Sequence, residues 1–350
     1  MIFDEVEKIR AIDKDNFIAD IQNLPNQLSN AYELAKKFPN PRLRNIQSIV
    51  IAGMGGSAIA GDILAAYLQP FSDVQIYTNR GYSLPVWVKG ENSAVICVSH
   101  SGNTEETISV FDQAVKKNIP TMVISTGGRI SEISSENNFP LWGYVHNGPP
   151  RSAIGITFGY LLRFFEKIGA IENQMDLVKQ AIQDMRELRE KIDVHIPAPR
   201  NPAKRVAGQA MGRIVTVIGS EHLIPVARRW KTQLNEIAKT WSQCEEIPEA
   251  NHNTIVGTLF PSTLIQKIYT IFLKSKSYHP KNTLRMDLTF TEFMVSGFCT
   301  DAIDLTNDGN KLSEIWKAIL YGDYVSYYLA IANEIDPTPV SAIDELKESL

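Results

Sequence analysis

Apolar residues in this chain come in short unbroken runs separated by amphipathic stretches, and the two kinds alternate. Residues 93–98 are such a run, the signature of a strand buried on both faces, and 46–52, 74–77 and 121–125 read as further short strands. Between them, Ile63, Leu64 and Leu68 fall at helical spacing, as do Ile108, Phe111, Ala114 and Val115. This alternation predicts βαβ units: a parallel sheet with helices on both faces, binding ligands at the carboxyl ends of its strands. Residues 15–40 read as helical, ending before Pro39 and Pro41. An apolar helix covers 153–168, and a second covers about 174–193, with Leu177, Ala181, Met185, Leu188 and Ile192 on one face.

The stretch Ile196-Pro197-Ala198-Pro199-Arg200-Asn201-Pro202 breaks every period, and beyond it the pattern restarts. Arg213–Ser220 repeats the strand-to-glycine turn of Ser48–Gly56, and a helix follows in both places. This predicts an internal duplication. Residues 264–273 fit strand or helix; the alternation favours strand. Residues 312–335 read as a helix, Tyr324, Tyr327, Tyr328 and Leu329 among its apolar positions, and a short helix ends on Leu346-Lys347. The expected organisation is α/β with two doubly wound domains. A helical segment covers 1–40, the first domain 41–195, a Pro-rich linker 196–204 and the second domain 205–350.

Composition narrows the function. The 350 residues suffice for two cores, and 44% hydrophobic with 21% charged residues is ordinary for a globular protein. A net charge of −4 argues against nucleic acid or an anionic membrane as the main partner. Cys97, Cys244 and Cys299 are too few and too scattered for a disulfide framework or a zinc site. No His, Asp or Glu cluster has ligand spacing, so neither metal nor other cofactor is expected. The acidic start, with Asp4, Glu5 and Glu7, is not a signal peptide, and no run of about 18 apolar residues crosses a membrane. A reducing, cytoplasmic compartment is expected.

The chemistry gathers at the turns. After the run 93–98 comes Ser99-His100-Ser101-Gly102-Asn103-Thr104-Glu105-Glu106-Thr107, a hydroxyl-rich loop opening a helix. The first amides of a helix lack partners and carry the positive end of its dipole. Ser99, Ser101 and Thr104 beside them, with Gly102 allowing close approach, read as a phosphate cradle. It lacks a P-loop lysine, so a nucleoside triphosphate is not the first choice. Taken singly, each hydroxyl reads as an ordinary helix cap; the three together read as a ligand site. Arg151 opens a helix, where positive charge opposes the dipole; it is either held for an anion or a surface arginine. Glu236 lies late in a helix over 225–239 with Arg228, Arg229, Lys231 and Lys239, and by itself reads as part of a solvated ion-paired face. His252, in Asn251-His252-Asn253, follows a polar loop over 241–250 and precedes an expected strand at 255–260. It is an acid/base candidate or a plain turn histidine.

Together, Gly53-Met-Gly-Gly-Ser-Ala-Ile-Ala-Gly-Asp62, Ser99–Thr107, Pro149-Pro-Arg-Ser-Ala-Ile-Gly155, Asn235-Glu236, Asn251-His-Asn-Thr-Ile-Val-Gly257 and Tyr321-Gly-Asp-Tyr-Val-Ser-Tyr-Tyr-Leu-Ala330 resemble the bifunctional phosphoglucose/phosphomannose isomerases. That family has the sugar isomerase (SIS) fold, with two such domains per chain. The resemblance runs from about residue 40 onward, in family order. It implies an aldose–ketose isomerase, interconverting glucose 6-phosphate and mannose 6-phosphate with fructose 6-phosphate through a cis-enediolate, in glycolysis and gluconeogenesis. It implies that Gly56, Ser57, Ser99, Ser101 and Thr104 hold the sugar phosphate. Glu236 would be the base, His252 the ring-opening group and Arg151 the cation at the enediolate. Lys347 resembles the family's C-terminal lysine near the ring oxygen. It also implies a homodimer in which His252 reaches the partner's site.

The residue types suit this chemistry. A carboxylate can carry a proton between two carbons, a guanidinium can stabilise the oxyanion, and a remote phosphate supplies orientation. A non-catalytic sugar-phosphate-binding regulator of the same fold is the alternative; it would need an output domain, and the first 40 residues show no basic helix-turn-helix pattern. A dinucleotide-dependent oxidoreductase fits Gly53-x-Gly55-x-x-Ala58, but Asp73 precedes its strand instead of ending it. An amidotransferase-linked isomerase would need a cysteine nucleophile far earlier than Cys97.

Overall fold

The computed structural model describes residues 2–41, 43, 45–307 and 309–349. The chain forms two compact units, residues 24–182 and the remainder. It opens with α1 (Val6–Ile12) and α2 (Phe17–Gln22), which belong to the second unit.

The 24–182 unit runs α3 (Leu24–Leu34), β1 (Ser48–Ala52), α4 (Gly55–Leu68), β2 (Gln75–Asn79), β3 (Ser93–Ser99), α5 (Glu105–Lys116), β4 (Thr121–Ser125), α6 (Gly128–Glu136), β5 (Leu141–Gly143) and α7 (Ile154–Lys167), and ends within α8 (Met175–Ile192). Its strands form a parallel sheet in the order β2-β1-β3-β4-β5. The three inner strands β1, β3 and β4 are buried at every position, as their unbroken apolar runs require. The edge strand β2 alternates, and its outer positions meet solvent. Val50, Ala52, Val95, Cys97 and Val123 pack with Val110, Phe111 and Ala114 of α5 into one core. The sequence reading misses β5, three residues long, and α6, whose Ser- and Glu-rich sequence carries little apolar period.

The second unit continues through α9 (Pro202–Ala210), β6 (Ile214–Ser220), α10 (Ile224–Glu236), β7 (Ser242–Ile247), β8 (Ile268–Lys274), α11 (Pro280–Val295), β9 (Cys299–Asp304), α12 (Lys311–Ala332) and α13 (Ser341–Glu348). Its parallel sheet has the order β7-β6-β8-β9. That is the order of the first four strands of the other unit, as the duplication predicts. Of the expected strand at 264–273, residues from 268 onward are strand, as the alternation favoured, and Ile265–Lys267 form a 3-10 turn before it.

Three local expectations differ. The expected polar loop at 241–250 holds β7, an edge strand whose outward Gln243 and Glu246 hid it. The expected strand at 255–260 is a 3-10 turn, Thr254–Thr258; Gly257 and Pro261 deny it a ladder. The expected linker at 196–204 is packed structure. Pro199 and Pro202 sit in the first turns of short helices, where proline is tolerated. Asn201 caps α9 by accepting from the amides of Ala203 and Lys204, and it donates to Ile192 O at 2.9 Å. The units divide instead at 23/24 and within α8 at 182/183. The helical segment 1–40 is split accordingly. Tyr327 of α12 donates to Asp13 at 3.0 Å, whereas Tyr32 of α3 donates to Glu166 of α7 at 2.6 Å. Among the described residues, no helix is long and apolar enough to cross a membrane.

Candidate active site

In the 24–182 sheet the chain leaves β1 toward β2 on one side and reaches β3 on the other, so the helices after β1 and β3 diverge. The crevice between them, at the carboxyl ends of the strands, is where such sheets take ligands. The two glycine- and hydroxyl-rich turns both open there.

Ser57 stands in the first turn of α4, and its Oγ accepts from the His100 amide at 3.3 Å, tying the first turn to the second. Ser99, 1% exposed at the end of β3, has its Oγ 3.0 Å from Thr104 Oγ1 and accepts from the Gly102 amide at 3.1 Å. Ser101 Oγ accepts from the Asn103 amide at 3.2 Å, and the side chain is exposed. Thr104 is the N-cap of α5, yet its hydroxyl makes no capping bond to that helix; Met54, the N-cap of α4, makes none either. Both helix starts therefore keep amides that their own caps do not satisfy, and the first turn of α4 carries no carboxylate to offset its dipole.

Backbone proximity makes two glycines necessary. Gly102 has φ +71°, and a Cβ there would overlap the Gly127 carbonyl oxygen, so this loop lies directly on the turn after β4. A Cβ on Gly56 would lie 2.9 Å from the Pro150 carbonyl and 3.0 Å from Arg151 Cα. Gly56 thus admits the Pro150-Arg151 backbone to the start of α4, and Gly56, Ser57, Ser99, Ser101, Thr104 and Arg151 come together. Arg151 is 3% exposed, which rules out the surface-arginine reading. Its segment is clamped from α3: Gln27 Nε2 donates to Ser152 O at 2.8 Å, and Gln27 Oε1 accepts from the Gly155 amide at 2.7 Å.

Four residues beside this cradle are not among the sequence candidates. His100 Nδ1 lies 3.1 Å from Tyr144 Oη, its ring meets that of His146 edge-on at 5.8 Å, and His146 Nε2 lies 2.7 Å from Ser152 Oγ. The group braces the segment leading into Arg151. Burial, reinforced by the neighbouring His146, pushes His100 below the ordinary imidazole range, so near neutral pH its ring braces without adding charge. His100 stands in plain view inside the serine motif; Tyr144, His146 and Ser152 are more than 40 residues on, with no spacing to mark them.

Glu236, His252 and Lys347 belong to the other unit. Glu236 is the last residue of α10 and half-buried. The expected solvated basic face is in part internal: Arg229 Nη2 donates to both Asp323 carboxylate oxygens at 2.8 and 3.1 Å, and Gln233 Nε2 joins them at 2.9 Å. Trp230 Nε1 donates to Ala318 O at 2.8 Å. These bonds lock α10 onto α12, one to two turns before Glu236. Lys239 Nζ closes the helix end on Glu236 O at 3.0 Å. A carboxylate at the negative end of a dipole adds nothing to helix stability through that dipole.

His252 ends the 3-10 turn Glu249–His252 and is exposed. Its amide neighbours are anchored: Asn251 Nδ2 donates to Thr289 of α11 at 2.6 Å, and Asn253 Nδ2 donates to Glu249 at 2.7 Å. The imidazole thus projects from a held loop. Lys347 is exposed on α13. Among the described residues no group of three or more His, Cys, Asp or Glu is arranged to hold a metal ion.

Changing Ser99, Ser101 and Thr104 together to Ala is expected to weaken binding of a sugar 6-phosphate about a hundredfold or more, at about 1 kcal/mol or more for each bond lost to a charged group. Equilibrium titration measures it, with a melting curve to show that the loop change leaves the chain folded. Unchanged affinity would move the phosphate elsewhere.

Residues 42–142 match the SIS domain model, and residues 199–350 match the model of the bacterial phospho-glucose isomerase C-terminal SIS domain. A bifunctional phosphoglucose/phosphomannose isomerase of Caldicellulosiruptor bescii is 34% identical over 94% of this chain and 97% of its own. One from Aquifex aeolicus is 29% identical over 87% and 90%. Among solved structures, a hypothetical protein from Thermus thermophilus superposes with a TM-score of 0.76 over 98% of this chain and 92% of its own, at 14% identity, a likeness of fold. With the serine cradle, the buried Pro-Pro-Arg arginine and this likeness over nearly the full length, the chain belongs to the bifunctional phosphoglucose/phosphomannose isomerase family.

Proposed function

We propose that this protein interconverts glucose 6-phosphate, and on the same residues mannose 6-phosphate, with fructose 6-phosphate. The observation that carries the reading is the cradle itself. Hydroxyls, uncapped helix starts and a buried guanidinium gather at the switch point of the 24–182 sheet, in a chain 34% identical to a named isomerase of both sugars. Gly56, Ser57, Ser99, Ser101 and Thr104 hold the phosphate and so orient the carbons that react. His252 opens the sugar ring, with Lys347 at the ring oxygen. Glu236 removes the C2 proton and returns it to C1, and the charge that develops on oxygen in the enediolate is offset by Arg151. Both aldoses give the same enediolate once C2 is planar, so one base can serve either epimer.

A coupled assay tests this. Turnover of glucose 6-phosphate and mannose 6-phosphate is expected, reversible from fructose 6-phosphate and unchanged by EDTA. Failure to turn over either aldose, with phosphosugar binding intact, would favour the regulator instead.

The protein acts as a homodimer, with His252 serving the partner's site. The support is the setting of that residue. Its imidazole is exposed, and Val256, Leu259 and Phe260, 66–80% exposed, follow it directly. Leu284, Leu288 and Val295 on α11, which packs against the Thr254–Thr258 turn, are likewise exposed. Apolar side chains in such number on a water-facing surface are what a subunit contact covers.

A further inference from the structure

The second sheet has a switch point of its own. β6 pairs with β7 on one side and β8 on the other, as β1 pairs with β2 and β3. By topology, the turns after β6 and β8 correspond to those that carry Ser57 and Ser99–Thr104. These turns also gather hydrogen-bond donors, but they gather them around a group of the chain itself. His222, after β6, has Nε2 2.7 Å from Glu314 Oε2. Ser275, after β8, donates to the same oxygen at 2.7 Å, and Ser277 donates to Oε1 at 2.9 Å. The Asn307 amide, after β9, adds a bond to Oε1 at 3.3 Å. Glu314 itself stands in the first turn of α12, at the positive end of that helix.

The carboxylate is completely buried, and His222 and Ser275 are at most 4% exposed. Burial alone pushes a carboxyl up, but here the bonds from His222 and Ser275 more than offset it, and Glu314 lies below the usual carboxylate range. An ionised carboxylate only accepts, so Nε2 is the imidazole nitrogen that carries the hydrogen toward it. Nδ1 of the same ring is buried and has no hydrogen-bond partner among the described residues. Donors from three strand ends thus converge on one fixed negative charge.

We infer that Glu314 is a built-in anion occupying the second unit's counterpart of the phosphate cradle: that unit keeps the donor set of an anion site but has filled it from its own α12. The ligand class that fits the donors is a small oxyanion, inorganic phosphate or a phosphomonoester, and the carboxylate excludes it. Removing the carboxylate leaves an imidazole N–H, two hydroxyls and an amide buried without an acceptor, a costly arrangement that an entering anion relieves.

The test uses the full chain in two backgrounds. In the first, Ser99, Ser101 and Thr104 are Ala; in the second, the same changes are combined with Glu314→Ala. Melting temperature is followed against inorganic phosphate at constant ionic strength set with chloride. The first chain is expected to show little response. The second is expected to melt lower in chloride and to gain about 2–4 °C for each tenfold rise in phosphate above its dissociation constant. An equal response in both chains overturns the inference. Should Glu314→Ala not accumulate as folded protein, calorimetric titration of the chain with Glu314 intact decides: the native chain binds at most one phosphate, and the cradle triple variant binds fewer still. A second phosphate per native chain, abolished by Ser275→Ala with Ser277→Ala, overturns it. These comparisons read anion binding and not turnover, so failure of the isomerase assignment leaves them interpretable.

Discussion

Glu236→Gln is expected to bind glucose 6-phosphate and fructose 6-phosphate with little change while kcat falls by about 10²–10⁴-fold, the range supplied by a positioned general base. The amide keeps the size and the helix-end position of the carboxylate but cannot take the C2 proton. The bonds that hold α10 to α12 come from Arg229, Trp230 and Gln233, and the helix end is closed on the backbone oxygen of residue 236, which the substitution retains. An interaction made only as the proton moves lowers kcat and kcat/KM together, so KM should stay near that of the native chain. Exchange of the C2 proton with solvent deuterium, followed by NMR, reads the same step without a coupling enzyme and should vanish in parallel. Near-native turnover would make Glu236 a structural carboxylate and reopen the search for the base.

Mixing Glu236→Gln chains with His252→Ala chains, each inactive alone, is expected to restore activity once subunits exchange. In a two-fold dimer each chain lends the same residue to the other. One site of the hybrid then receives both defects, and the other receives native Glu236 from one chain and native His252 from its partner. With random exchange about half the dimers are hybrids, so recovery should approach about a quarter of native activity, less the activity already lost to any weakened contact. The structure makes His252→Ala a clean reagent, because the loop is anchored by Asn251 and Asn253 and the imidazole is exposed. If exchange is verified by mass and no activity returns, Glu236 and His252 act within one chain.

The parts of this protein that the sequence determined are those written in neighbouring residues. β1, β3, β4 and β6 are apolar-rich stretches because a central parallel strand is covered on both faces, and that burial imposes a local composition, whereas β8 was legible only from its place in the alternation. The two turns that form the candidate cradle were equally legible as turns, since a passage from strand to helix needs its glycines and hydroxyls within a few residues of each other. The duplication followed from the repeated strand-to-glycine pattern. What tertiary structure alone decided involves residues far apart, whose pairing leaves no period. Arg151 is a buried cation instead of a surface one because Gly56 and Gln27, 95 and 124 positions earlier, admit and clamp its segment. The first 40 residues are divided between two units because Asp13 bonds with α12 while Tyr32 bonds with α7. β7 reads as a loop in sequence because an edge strand meets water on one side and needs no apolar run. Glu314 looks like any helix-start glutamate; only the fold carries His222, 92 residues away, and the serines after β8 onto its carboxylate, where burial turns an ordinary residue into a fixed internal charge.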